Sequence, residues 1–139
     1  MLSESFVAAA RSYIGVTYRH LGRGEKGIDC AGLILRAAWD AGFLRGVDYT
    51  GYRRHPEGQT MRRVVERHFR TVPMTEMAVG DVLLFTGVAR MPCHLAVVTE
   101  VEPRPMMVHA WSERGRVVEH GLEGFRFPPV GCFRLPEFC

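Results

Sequence analysis

The stretch His94-Leu95-Ala96-Val97-Val98-Thr99-Glu100-Val101-Glu102-Pro103-Arg104-Pro105-Met106-Met107-Val108-His109-Ala110-Trp111 decides the fold. Two runs of apolar and β-branched residues, His94 to Val101 and Met106 to Trp111, flank a reversal built around two prolines. Strands joined by so short a turn run antiparallel. Working outward, Gly80-Asp81 turns into a strand over Val82 to Phe85, while Arg116 to Glu119 and Val130 to Arg134 follow between Gly and Pro punctuation. These five strands form an antiparallel meander.

Upstream the period changes from two to nearly four. From Ser5 to Ile14 the apolar residues Phe6, Ala10, Tyr13 and Ile14 fall at helical spacing, and Gly15 stops the run. A glycine-bearing loop, Gly22 to Gly27, leads into Ile28-Asp29-Cys30-Ala31-Gly32-Leu33. Leu33, Ile34, Ala37, Ala38 and Ala41 then mark one face of a helix ending at Gly42, so Cys30 sits in its first turn. Asp48 to Gly58 reads as an irregular connection. A third helix, near Gln59 to Phe69, has Met61, Val64, Val65 and Phe69 inward and its arginines on a solvated face. Helices first and sheet afterwards is the α+β class, here one domain over residues 1–139.

Composition bounds the function. At 139 residues, 47% hydrophobic and 24% charged, the chain can fill a core without staples. No run approaches the ~20 apolar residues of a membrane span. The start, Met1-Leu2-Ser3-Glu4-Ser5, is not a recognisable secretory signal, so synthesis in the cytoplasm and another route of export are expected. The net charge of +3 suits an anionic partner, but no nucleic-acid motif accompanies it. Cys30, Cys93, Cys132 and Cys139 form no CxxC pair, which speaks against structural zinc. Cys30, Cys93, His94 and His109 make a poor metal set, because neighbours on a strand point to opposite faces. No cofactor is called for.

The chemistry points to Cys30. A cysteine attacks as its thiolate, and both a helix N-terminus and a neighbouring imidazolium lower its pKa. His94 and His109 open and lie within sequential strands, so both rings can reach one end of a sheet. That order assigns His94 as base and His109 as the group orienting its ring. A hairpin centred on Pro103-Arg104 sets His109 nearer Val97 or Val98 than His94, so direct ring contact calls for a diagonal reach or a bulge. His20 and His55 fall in loops, His68 near a helix end, and His120 just after a short strand.

These residues carry a resemblance. Gly15-Val16-Thr17-Tyr18 with Ile28-Asp29-Cys30-Ala31-Gly32-Leu33 looks like the nucleophile region of the NlpC-type peptidases. His94-Leu95-Ala96-Val97-Val98 resembles their catalytic histidine strand, Met107-Val108-His109-Ala110 the strand of the third polar residue, and Gly80 to Phe85 their first sheet strand. The resemblance implies a reduced papain-like fold and a cysteine endopeptidase that cuts peptidoglycan stem peptides, often after γ-linked D-glutamate. It also implies substrate contacts for Tyr18 and Asp29, though Ala31 stands where the family commonly has Ser. Tyr52-Arg53-Arg54-His55-Pro56 and Phe133-Arg134-Leu135-Pro136 look most like the phage-tail-associated branch, which implies tail or tail-like-particle proteins as partners and delivery to the cell wall on such a particle. Rival readings are a non-catalytic tail or wall-binding component, an amidase or acyltransferase using the same dyad, and an exported antibacterial toxin.

Overall fold

Residues 2–53, 58–87 and 92–136 are described by the structure, a computed structural model. Arg54, His55, Pro56 and Cys139 lie outside the described residues. The elements are α1 (Leu2–Arg11), β1 (Arg23–Gly24), β2 (Gly27–Ile28), α2 (Cys30–Asp40), α3 (Thr60–His68), β3 (Arg70–Val72), β4 (Val82–Thr86), β5 (Pro92–Val101), β6 (Arg104–Trp111), β7 (Arg116–Gly121) and β8 (Pro129–Arg134). A single 3-10 turn, Met74–Glu76, precedes β4.

The helices bury the faces that their periodicity marks. Phe6 and Ala10 of α1 are fully buried, as are Leu33, Ala37 and Ala38 of α2. The α1 helix stops at Arg11, earlier than the spacing predicts. The chain turns through Tyr13, which stays buried, and leaves Ile14 exposed. Gly42, with φ +92°, ends α2 in the left-handed conformation that glycine adopts without a Cβ clash. On α3, Met61 and Val65 face inward while Arg63, Glu66 and Arg67 are exposed as expected. Arg62 departs from that face: its Nη2 donates to the Val130 carbonyl at 2.7 Å, tying α3 to β8.

The main sheet has six strands in the order β3-β8-β4-β5-β6-β7, every neighbouring pair antiparallel. The expected five are present, but only β4 to β7 follow one another as a meander: after β7 the chain crosses back, so that β8 pairs with β4, and β3 is a sixth strand beyond β8. It is only three residues long, wedged between a helix and Pro73, and too short for alternation to register. Its register with β8 pairs Arg70 with Arg134 and Val72 with Cys132. A separate two-stranded ribbon, β1-β2, lies in the glycine loop before α2.

Both faces of the sheet are covered, so β4 reads as the unbroken run Val82-Leu83-Leu84-Phe85 rather than alternating with polar residues. Val82, Leu84, Leu95, Val97, Val108, Ala110, Val117 and Phe133 pack with the helices. Leu83, Phe85, Ala96, Val98, Met107 and Cys132 form a second cluster on the opposite face, joined by Leu122 and Phe125. Each fully buried large side chain contributes roughly 1.5–3 kcal/mol. The second face is the one that carries His94 and His109.

Candidate active site

Asp29 is the N-cap of α2. Its backbone is extended, and its Oδ1 accepts from Gly32 N at 2.7 Å, filling one of the donors that a helix start leaves open. The same carboxylate accepts from Leu21 N at 2.8 Å, Arg23 Nη1 at 3.0 Å and the Tyr52 hydroxyl at 2.5 Å. Asp29 is 1% exposed, so these contacts enclose it. The loop presses closely on the helix: a Cβ on Gly32 would lie 2.1 Å from the Gly22 carbonyl oxygen. Glycine here is a packing requirement.

That cap places Cys30 at the first helical position, buried, with its thiol toward β5. Sγ lies 3.9 Å from the Cys93 carbonyl oxygen, which accepts from it, and the Leu95 amide also favours the sulfur's ionised form. The thiol thus rests against the peptide groups on either side of His94. Burial, followed by the charge of Asp29, pushes its pKa up to about 12. This reverses the expected depression: desolvation outweighs the helix terminus.

His94 and His109 do meet. Their rings are in T-shaped contact with centroids 4.9 Å apart, and His94 Nε2 lies 2.6 Å from His109 Nδ1. The β5-β6 register pairs Val97 with Val108 and Val101 with Arg104, which leaves a two-residue turn at Glu102-Pro103. Continuing that register puts His109 opposite Ala96, so the ring contact is diagonal by one strand repeat. Beside it the β4-β5 pairing slips between Phe85 and Thr86. Burial, and secondarily the His120 charge, lowers the His94 pKa to about 4, and His109 moves the same way for the same cause. Both rings are therefore neutral at neutral pH.

A third ring continues the chain. His109 Nε2 is 2.8 Å from His120 Nε2, and His120 Nδ1 is 2.8 Å from the Gly121 carbonyl oxygen. Phe125 stands against His109 and His120 with centroids 5.5 and 5.6 Å away. Sequence reasoning passes over His120 because it stops the strand at Glu119. The strand runs to Gly121 and pairs His120 with Met107, two residues from His109 on the same face. The signal is strand alternation, readable only once the register is known. Beyond His120 an open groove of about 510 Å³ is lined by Trp111, Arg114, Arg116, Phe125 and Arg126.

Tyr18 is half-buried beside the start of α2, bridged to Ile28 and held by Tyr18 N donating to the Gly115 carbonyl at 2.8 Å. The loop holding Asp29 has partners that the sequence does not tie to it: Arg23, and Tyr52, which stands out there only as the start of a family-like segment. Arg23 links Asp29, Asp48 and the Tyr52 hydroxyl at 2.8–3.0 Å. Cys132 is a buried free thiol near Asp81, remote in sequence and in the sheet from Cys30. Among the described residues, no group of three or more His, Cys, Asp or Glu is arranged to hold a metal ion.

A cysteine on a helix start and a histidine pair on the adjoining strands prompt comparison with known proteins, and the family model for the NlpC/P60 family matches residues 15–124. The chain belongs to the NlpC/P60 family. Its fold is similar to the NlpC/p60 domain of the peptidoglycan hydrolase SagA, with a TM-score of 0.66 at 21% identity over 96% of this chain and 98% of that one. It is also similar to NlpC1 from Trichomonas vaginalis, with a TM-score of 0.71 at 16% identity over 96% of this chain but 44% of that one. A third similar structure is RipD from Mycobacterium tuberculosis, with a TM-score of 0.62 at 17% identity over 96% of this chain and 97% of that one. RipD is described as a non-catalytic NlpC/p60 domain protein adapted to peptidoglycan binding. No curated protein matches the chain. The NlpC/P60 fold is thus common to hydrolases and to a non-catalytic binder, and side chains must distinguish them.

Proposed function

We propose that this NlpC/P60 protein is a cysteine endopeptidase that hydrolyses peptide bonds in peptidoglycan stem peptides, with Cys30 as nucleophile, His94 as base and His109 orienting it. One observation carries the reading: the His94–His109 contact at 2.6 Å, on the strand against which the Cys30 thiol rests. A wall-binding scaffold has no use for a pair of neutral imidazoles, one fully and one partly buried, on the strand that the thiol rests against and its neighbour.

Cys30 and His94 start as a neutral pair, so the thiol proton leaves as the bond to carbon forms. His94 takes that proton while Sγ adds to the scissile carbonyl carbon, and the electron pair moves onto oxygen. The Cys30 N–H, in the first turn of α2, donates to that oxygen, a contact worth about 2.7–4 kcal/mol. The adduct collapses to a thioester as His94 protonates the leaving amine. Water then adds to the thioester carbonyl carbon, His94 accepts its proton, and collapse returns that proton to sulfur. Tyr18, beside the helix start, lines the approach. Asp29 acts on substrate through the loop it holds, since its oxygens are engaged by Gly32, Leu21, Arg23 and Tyr52. Delivery on a tail-like particle is part of the proposal and rests on the resemblance of the Tyr52 and Phe133 segments to tail-associated members.

The test is incubation with purified peptidoglycan and mass spectrometry of the released fragments. Wild type should release cut stem peptides and Cys30→Ala none. His94→Ala should lose about 10²–10⁴ in kcat/KM, while His109→Asn, whose amide can still accept a hydrogen bond, should lose less. Retention on peptidoglycan without release of any fragment would replace this reading with the wall-binding one.

A further inference from the structure

Three rings and one carbonyl form an unbroken hydrogen-bonded line: His94, His109, His120, Gly121 O. We infer that His120 is a positioning residue that sets the tautomer of both inner rings, so that His94 presents an unprotonated Nδ1 as the base. The kinetic part rests on the peptidase reading above; the tautomers themselves do not.

The Gly121 carbonyl is the one group in the line with a fixed role. A backbone carbonyl accepts and never donates, so His120 Nδ1, at 2.8 Å from Gly121 O, carries a hydrogen. With His120 in its neutral form, the ring has that one N–H, so His120 Nε2 is a lone pair. His109 Nε2 faces it at 2.8 Å and must donate. His109 Nδ1 is then a lone pair, and His94 Nε2 donates to it across 2.6 Å. His94 has spent its one N–H, and Nδ1 is left free to take a proton. Any other assignment of neutral rings sets two hydrogens or two lone pairs face to face.

Among the described residues, the hydrogen-bond partners of the His109 ring are His94 and His120. His109 is completely buried, and Trp111 and Phe125 stand 5.2 and 5.5 Å from its ring centre. The ring planes cross at 74° and 79°, but the nitrogens that meet are 2.6 and 2.8 Å apart with both pairs of centroids at 4.9 Å, so each contact is nitrogen to nitrogen along the line between the rings, as an in-plane N–H facing a lone pair requires. A residue at 120 that can only donate would turn His109 over, and with it His94, placing a hydrogen on the nitrogen that must accept one.

The substrate-free test is a long-range ¹H–¹⁵N correlation spectrum of the full chain with ¹⁵N-labelled histidine at neutral pH. The expected pattern is Nε2–H on His94 and His109 and Nδ1–H on His120. His120→Gln should keep the first two, because its amide oxygen accepts, whereas His120→Lys, a donor only, should move both to Nδ1–H. On a stem-peptide substrate, kcat should fall at least about tenfold in His120→Lys with KM within about twofold, and His120→Gln should recover most of it. A wild-type spectrum with Nδ1–H on His94 overturns the assignment without any variant. So does a folded His120→Lys protein with the wild-type His94 tautomer and kcat. The predicted tautomers in a protein that cuts no wall fragment would uphold this inference and sink the peptidase reading alone.

Discussion

Cys30 and His94 are shifted in opposite directions by one cause. Burial disfavours the charged form of each, raising the thiol to about 12 and lowering the imidazole to about 4. In the proposed mechanism the working pair is thiol plus neutral ring, not thiolate plus imidazolium, and the two predict different pH profiles. With a neutral pair, kcat/KM should fall on the acid side only as the pH approaches about 4, where His94 gains a proton. It should hold on the alkaline side past the ordinary thiol range near about 8.5, since the thiol is still protonated there. An ion pair would lose activity in that range, as the imidazolium gives up its proton. The placement of Cys30 at a helix start and of His94 and His109 on neighbouring strands was legible in the sequence, because reactive types at such places stand out. His120 was not, since its role depends on which residue faces it across β6 and β7.

At the scale of elements, the start of α2 is held by one carboxylate reaching four donors. Asp29 joins the helix to Leu21, to Arg23 and, through Tyr52, to a segment more than twenty residues away. Removing it takes from Arg23, itself largely covered, one of its two carboxylate partners, leaves the Leu21 amide and the Tyr52 hydroxyl without their acceptor, and uncaps the helix. Asp29→Ala should therefore cost about 3 kcal/mol in chemical denaturation. Its loss of activity should track its loss of folded protein. A variant of full stability and no activity would instead make Asp29 a direct substrate contact. The helix itself was readable from Asp29 and from the spacing of Leu33, Ile34, Ala37 and Ala38. The docking of the loop was not, because nothing in the residues around Arg23 or Tyr52 says that either reaches Asp29. The requirement for Gly32 appears only when the Gly22 carbonyl is seen against it.

Across the whole molecule, the buried histidines link folding to pH. In the unfolded chain they titrate near the ordinary 6.5, and in the fold His94 and His109 lie below it. Between those values the unfolded state binds more protons, so stability rises with pH. It is fully present above about 6.5 and is lost as the pH falls toward the folded values. Tm followed by circular dichroism should drop between about pH 7 and 4.5, and His109→Asn should flatten that dependence even if its Tm is lower throughout. The α+β class and the four-strand meander from β4 to β7 were legible because each strand and helix carries its own period; the return of β8 to the far side of β4 was not, since no local pattern says which edge a last strand joins. The sixth strand was not, since three residues hold too little alternation and β3 exists by pairing with β8.

The two edges of the sheet have a consequence for how the protein behaves in company. An open edge is a row of unpaired peptide groups ready to recruit another chain. At the β7 end, Val16 and Gly15 exchange backbone hydrogen bonds with Val117, and Tyr18 N reaches Gly115 O, so residues 15–18 lie along the strand as a guard rail. At the other end β3 offers three residues, with Arg70 and Thr71 exposed. Neither border presents a long apolar template. Many copies can stand side by side at high local concentration without knitting their sheets into a fibre.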